Sequence, residues 1–415
     1  MKKFLALPLL AVTLGAYASE PVVLQVDVSN NTDRRVTGIP VVLPLAEYGE
    51  VTTANVYGSH DIPFQLDDLD GDGVADELCF LLNIDAHHDK HIKVTLNSNF
   101  GPQTFESKSR AYIKLRDERK KYPFVTAVTY PGNSDNKVIY NTVYGHGPCV
   151  ESIHNAWRIY VDNRQSIDLY GKKKRQLELD TTGFYTTREQ YLDKGFGRDI
   201  LWAGKSIAAG SFRGLTAGQP QTIDTVTNRG YKVIASGPVR AIVEVEDQGW
   251  QINGRRVNMR QRYTQYGMNP WFSVDIDLAG PGADQIFCTG IQKVGEPTGT
   301  VPEAPNTDRN GFVRPDGVAA SWGQNIPEKA HKDLTESLGI GLRVNPANVS
   351  SVREDDLNYL VELRPDAKGH ISYDVIFNSA MNPKNPQDYK AWKKTVENWS
   401  EAPARIFPAT VRRLK

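Results

Sequence analysis

Between Ser236 and Gly280 apolar and polar residues alternate through three successive runs, and this period of two restricts the chain more than any other feature. In SGPVRAIVEVEDQGWQI, Val239, Ala241, Val243 and Val245 share one face, and Arg240, Glu244 and Glu246 share the other. VNMRQRYTQYG puts Arg260, Arg262 and Tyr266 together. WFSVDIDLAG turns Phe272, Val274 and Ile276 inward and Trp271, Asp275 and Asp277 outward. Long strands with one ionic face predict a large antiparallel sheet that rests on a core and presents its other face to a groove or to solvent. Arg240 and Glu244 read as a salt-bridged solvated face. The Arg260/Arg262 pair stays open between that role and substrate binding, and Trp271 is a candidate ring-stacking platform.

Shorter runs of the same kind fill the N-terminal part. VVLQVDVSN, IPVVLPL, IPFQLDDL, ELCFLLNI and HIKVTLN are separated by Asn-Asn, Pro and Asp-Gly clusters, with no helical period between them. The expected class is therefore mainly β with few helices: an antiparallel β-sandwich over residues 19–108, then a larger antiparallel β domain over 109–415. One helix is expected near the C-terminus, in PQDYKAWKKTVENWSEA, where Tyr389, Trp392, Val396 and Trp399 recur at helical spacing. Pro386 suits its first turn.

The first residues carry a different signal. Lys2 and Lys3, the apolar run FLALPLLAVTLG and the small-x-small Ala16-Tyr17-Ala18 read as a signal peptide over residues 1–18. The apolar run is too short for a stable membrane anchor, and no Cys adjoins the cleavage point to carry lipid. An exported, periplasmic or extracellular protein that is not a lipoprotein is expected. Its 49 basic and 49 acidic residues leave no net field to draw it to nucleic acid or a membrane surface. Cys79, Cys149 and Cys288 allow at most one disulfide. Cys79 and Cys288 read as small buried hydrophobes, and nothing around Cys149 activates it as a nucleophile.

Chemistry-bearing residues concentrate in YGHGPCVESIHNAWRIYVDNRQSIDLYGK, Tyr144 to Lys172. Read as a hairpin, it puts Trp157, Ile159, Val161, Ile167 and Leu169 on the apolar face. Arg158, Tyr160, Asp162, Asp168 and Tyr170 take the polar face, around an Asp162-Asn163-Arg164-Gln165 turn. His146, Glu151 and His154 lie just upstream and Lys172 closes the segment. Candidate catalytic residues are His146, Glu151, Arg158, Tyr160, Asp162, Asp168, Tyr170 and Lys172. Candidate substrate-binding residues are His154, Trp157, Arg164, Arg260, Arg262 and Trp271. Structural alternatives stand beside these: His146 capping a turn, Tyr170 packing, Lys172 in a solvated basic run, and Arg158 paired across the hairpin with Asp162 or Asp168.

DDLDGDGVADEL places Asp68, Asp70, Asp72 and Asp76 at positions 1, 3, 5 and 9 of a DxDxDGxxD loop, an oxygen-rich set suited to a structural Ca²⁺. Position 12 is Cys79 rather than a bidentate Glu, and strands flank the loop, so an ion-free Asp-Gly turn is the alternative. His87, His88 and His91 fall between two strands and read as a solvated turn rather than a zinc site. No pattern calls for an organic cofactor: P-loop, Rossmann, CxxC, HExxH and GxSxG arrangements are absent.

The His146-Gly147-Pro148, Glu151, Trp157-Arg158-x-Tyr160-x-Asp162 and Asp168-x-Tyr170-Gly171-Lys172 pattern resembles a domain family of unknown function in exported Bacteroidetes proteins. Its members are commonly encoded among polysaccharide-degradation genes. GPVRAIVEVE is also similar to sheets of the galactose-mutarotase-like β-supersandwich folds. The resemblance implies a glycan substrate. Three readings are open: β-elimination on an anionic, uronate-containing glycan, with Arg158 or Lys172 on the carboxylate and Tyr160, Tyr170 or His146 moving the proton; hydrolysis by a carboxylate pair drawn from Glu151, Asp162 and Asp168; and glycan binding without catalysis. Elimination is favoured.

Overall fold

Alternation becomes architecture where each strand's apolar stripe meets another's. The computed structural model describes residues 21–97, 103–117, 122–295, 310–325, 335–402 and 407–414, so the expected signal peptide lies outside the described residues. Among these residues five antiparallel sheets form, with four short α-helices.

The three long runs form neighbouring strands Arg240–Ile252, Arg255–Tyr266 and Trp271–Ala279 in the middle of a nine-stranded sheet. Val243 pairs with Tyr263, and Tyr263 with Val274, so the inward residues stack in register across the sheet. That face shares one continuous core with a six-stranded sheet, which contains the Tyr144–Lys172 hairpin, and with a five-stranded sheet. A broad sheet faced by two smaller ones is the large β domain the sequence predicts.

A second core lies between a four-stranded and a three-stranded sheet in the N-terminal part, the expected sandwich. Val22–Asn30 and Glu77–Ile84 are strands with the expected bounds. The boundary needs one correction. Ala409–Arg413 pairs antiparallel with Val22–Asn30, so the last strand completes the first domain and does not belong to a 109–415 unit. The C-terminal helix runs Tyr389–Ser400 and buries Trp392 and Val396. Asp388 caps it through the Ala391 amide, which leaves Pro386 outside the first turn where it was expected. The expected histidine turn is also shorter, because the strand His88–Leu96 begins within it. His87 and His91 bind different carboxylates, Asp33 and Asp27, so they share no ligand position.

Candidate active site

The hairpin strands Ala156–Ile159 and Ile167–Gly171 pair as predicted, with Arg158 opposite Asp168. Trp157, Ile159, Val161, Ile167 and Leu169 all enter the main core. The polar face carries Arg158, Asp168 and Tyr170, as the alternation predicts. It is covered by the segment that includes the short helix Leu179–Thr182, so most of its ionisable groups are buried.

Arg158 is 3% exposed. Its Nε and Nη2 donate to Asp168 Oδ2 at 2.9 and 2.6 Å, and Nη2 also reaches Asp199 at 3.1 Å. Nη1 donates to the Gly145 carbonyl at 3.2 Å and to the Tyr185 hydroxyl at 3.1 Å. A guanidinium has only five N–H donors, and these contacts occupy it. Arg158 therefore has no donor left to clamp a substrate carboxylate, which corrects that assignment. Its cross-strand pairing with Asp168 is the arrangement named as the structural alternative.

Four more candidates are withdrawn from direct contact for similar reasons. Lys172 donates to Glu151 at 2.6 Å and to the carbonyls of Ser152 and Gln176, each at 2.7 Å. Glu151 also accepts from the Glu178 and Leu179 amides at the start of the covering helix. The pair is sealed, and desolvation holds the Lys172 ammonium below its ordinary pKa. Tyr170 is fully buried against Phe184, with its hydroxyl bonded to Thr182 and Thr186. Trp157 is equally buried, its ring 4.5 Å from Phe272 and its Nε1 donating to Gln265, so it offers no face to a sugar.

What remains accessible gathers around His146. A register shift between Tyr144 and Cys149 breaks the strand Val143–Ser152, and there Gly145 and His146 turn left-handed with φ of 76° and 62°. His146 stacks on Tyr140 at 3.7 Å with rings 9° apart, and its Nδ1 lies 2.8 Å from the Tyr140 carbonyl. A carbonyl only accepts, so Nδ1 carries the proton and Nε2 the lone pair. Burial, together with the charges of Arg158, Arg116 and Arg164, pushes the His146 pKa down. The group is a neutral base with a fixed tautomer, and its Nε2 has no hydrogen-bond partner among the described residues.

Tyr160 and Tyr185 meet this imidazole edge-on at 6.4 and 6.2 Å, completing an aromatic wall with Tyr140. The Tyr160 hydroxyl donates to Asp168 at 3.0 Å. Tyr185 is 37% exposed, and burial of its hydroxyl end raises its pKa to about 12. Arg164 lies over the Tyr140 and Tyr160 rings at 5.3 and 4.9 Å. Buried Asp162 takes its Nε and Nη2, leaving the other side of the fork to solvent. Exposed Arg116 contacts Asn141 and has no carboxylate partner among the described residues. Sequence reading missed Tyr140, Tyr185, Asp199 and Arg116. Tyr140 comes from a short helix, Asp199 from a two-residue strand, and Tyr185 and Arg116 from connecting segments, so no single sequence pattern groups them.

The other candidates lie elsewhere. Arg260 pairs with Asp277 and Arg262 with Glu244, both across strands, beside a cavity of about 570 Å³ at the domain junction. His154 and Trp271 line a separate groove. Oxygens of Asp68, Asp70 and Asp76 come within 4.8 Å of one another, while Asp72 is outside that group and caps the Val74 amide. Asp68 also accepts from the Gly71 and Gly73 amides, so the same carboxylates that would hold Ca²⁺ close the turn themselves. All three cysteines are free and buried, and burial pushes the Cys149 thiol up to about 11, far from a reactive thiolate.

Residues 28–405 match the model of a domain of unknown function, DUF4861. No curated relative matches the sequence. Among solved structures, the chain is similar to a protein in glycosyl hydrolase family 38 from Enterococcus faecalis, at 9% identity and TM-score 0.45 over 95% of this chain and 47% of that one. An α-mannosidase from Enterococcus faecalis V583 gives 10% identity and TM-score 0.46, over 95% and 46%. A proposed aldose 1-epimerase from Klebsiella pneumoniae subsp. pneumoniae MGH 78578 gives 8% identity and TM-score 0.28, over 70% and 95%. The chain thus spans about half the length of the first two. No described helix is long and apolar enough to cross a membrane.

Proposed function

The chain belongs to the DUF4861 family, and from the site it builds we propose that this member is an exported carbohydrate-active enzyme that cleaves a uronate-containing glycan by β-elimination. The observation that carries the reading is His146: a neutral imidazole of fixed tautomer, lone pair free, set among tyrosine rings and near three guanidiniums. Aromatic walls suit the C–H faces of a sugar, and an unpartnered Nε2 suits removal of the acidic proton beside its carboxylate.

In this reading His146 Nε2 takes the C5 proton. The C–H electrons form the C4=C5 double bond as the C4–O bond breaks, and the Tyr185 hydroxyl protonates the departing oxygen. Arg116 and Arg164 hold the carboxylate while charge develops on it. Arg158, held by Asp168 and Asp199, fixes Tyr160 and Tyr185. Hydrolysis by a carboxylate pair draws less support, because Glu151, Asp162 and Asp168 are each engaged by a cation in a buried setting. No organic cofactor enters the scheme. Asp68, Asp70 and Asp76 are the residues that would hold a structural Ca²⁺, which calorimetric titration with that ion would detect.

The test is incubation with a panel of uronate polymers, following the ultraviolet absorbance of an unsaturated uronate with chromatography of the products. Absorbance should grow, and His146→Ala should lower the rate by about 10² or more. New oligosaccharides without absorbance would establish hydrolysis instead, and saturable binding without products would make the protein a glycan binder.

A further inference from the structure

Most buried and half-buried guanidiniums in this protein come with carboxylates. Buried Arg158, Arg198, Arg229 and Arg240 and half-buried Arg343 each pair with at least one Asp or Glu. Among the described arginines that are not exposed, two lack such a partner. One is Arg213, sealed in the core and bonded to the Phe212 carbonyl and the Ser166 hydroxyl. The other is Arg175, and it lines an open groove of about 760 Å³.

Arg175 is held by neutral acceptors. Its Nη1 donates to His154 Nδ1 and its Nη2 to Asn385 Oδ1, both at 2.6 Å. An arginine cannot accept, so His154 presents a lone pair there. Burial and the neighbouring Arg175 and Lys172 keep that imidazole neutral, with a pKa of about 3. The remaining Arg175 donors have no protein partner among the described residues, and desolvation disfavours its charge. A half-buried cation that no carboxylate compensates is a costly arrangement unless an external anion completes it.

The groove around it has the chemistry of a saccharide site. Trp271 gives it an aromatic surface, half-buried and braced edge-on by Tyr266 at 5.8 Å. Asn378 and Asn385 add amides, and Lys384 a second cation without an acidic partner among the described residues. The acidic residues on the rim are already engaged, Asp33 by His87 and Glu401 by Arg34. The walls come from the N-terminal sandwich, the loop before the Trp271 strand and the C-terminal helix, and none of the residues around His146 lines them.

We propose that this groove is a second saccharide-binding site, in which Arg175 receives the carboxylate of an anionic sugar and Trp271 the face of a ring. The site is built from residues the reaction does not use, so it stands or falls independently of the elimination scheme.

The experiment titrates full-length His146→Ala protein, in which turnover is slowed, with a galacturonate oligosaccharide and with its methyl-esterified counterpart. Calorimetry and tryptophan fluorescence are the readouts. The free acid should bind saturably, and the ester about ten- to hundredfold more weakly, as expected for loss of a charge-assisted hydrogen bond. Arg175→Gln should lose one site from the calorimetric stoichiometry, and Arg175→Lys should recover part of the affinity. Trp271→Ala, which does not touch the arginine, should weaken the same site and remove the fluorescence change, with melting curves confirming folded protein. Wild-type stoichiometry and affinity in both Arg175→Gln and Trp271→Ala would overturn the proposal. So would equal binding of acid and ester, no binding at all, or inorganic sulfate binding as tightly as the oligosaccharide, which would mean an adventitious anion only. Arg175-dependent binding in a protein that proves to have no lyase activity would leave this inference standing and remove the catalytic one.

Discussion

The backbone turns left-handed twice in succession, at Gly145 and then at His146, and the second turn is unfavourable for a residue with a side chain. Close packing on both sides holds the strain in place. Gly147 passes so close to the opposite strand that an added Cβ would lie 1.7 Å from the Ile159 carbonyl, and His146 is pinned by its stack and hydrogen bond to Tyr140. The consequence for the proposed base is a definite pH dependence. Burial and three nearby guanidiniums disfavour the imidazolium, so the neutral, competent form persists to lower pH than for an ordinary histidine at 6.5. The proton donor has the opposite bias: Tyr185, at about 12, stays protonated through the neutral and mildly alkaline range. A profile of kcat/KM against pH should therefore show one acidic limb, displaced below 6.5, and no fall from Tyr185 at mildly alkaline pH. A limb at or above the ordinary histidine value would assign the base to another residue. Tyr185→Phe should lower kcat while leaving that limb in place.

At the scale of the element, the hairpin shows what alternation reveals and what it leaves hidden. Period two sorted Trp157, Ile159, Ile167 and Leu169 from Arg158 and Asp168 correctly, and the cross-strand pairing came from register alone. It says nothing about whether the polar face is covered. The cover comes from Leu179–Thr182, a helix of four residues with too little sequence to show a period. That helix start also explains the Glu151–Lys172 pair. Glu151 accepts the Glu178 and Leu179 amides, so the ion pair ties the hairpin to its lid. Side-chain exposures of 0% and 1% leave no water to replace a missing partner. Lys172→Met should cost about 3–5 kcal/mol, the penalty for stranding a buried charge. The double variant with Glu151→Gln should recover much of that loss. Chemical denaturation of the three proteins tests the pair. A single variant as stable as wild type would show that solvent reaches Glu151.

The whole molecule is two cores stitched together, and the stitching was the least legible part of the sequence. Composition and turn signals predict a change from sandwich to large domain near residue 108. They could not reveal that Ala409–Arg413 returns to the first sheet, since a short strand names no partner. Nor could they reveal the fate of Arg240. Alternation put it on the outer face of the large sheet, where a solvated role was the natural reading. Instead, the N-terminal sandwich covers that face at Arg240. Arg240 Nε donates to Asp67 and its Nη2 to Glu77, both at 2.7 Å, with 4% of the arginine side chain and 3% of the Asp67 side chain exposed. Gln65 completes the joint by accepting from the Val239 and Arg240 amides and donating to Asp67. A buried charge pair shared between two cores couples their unfolding, because separating the domains strands an ion on each side. Arg240→Met keeps most of the side-chain volume and removes the charge, leaving Asp67 unpaired in the interface. Calorimetry should show one transition in the wild type and two in the variant, the sandwich melting first, with a loss of about 3–5 kcal/mol from the coupled unit. Asp67→Asn added to that variant should bring the transitions back toward each other, because a neutral amide can remain buried against Gln65. One unshifted transition in Arg240→Met would place the coupling elsewhere, in the C-terminal strand that crosses back to Val22–Asn30.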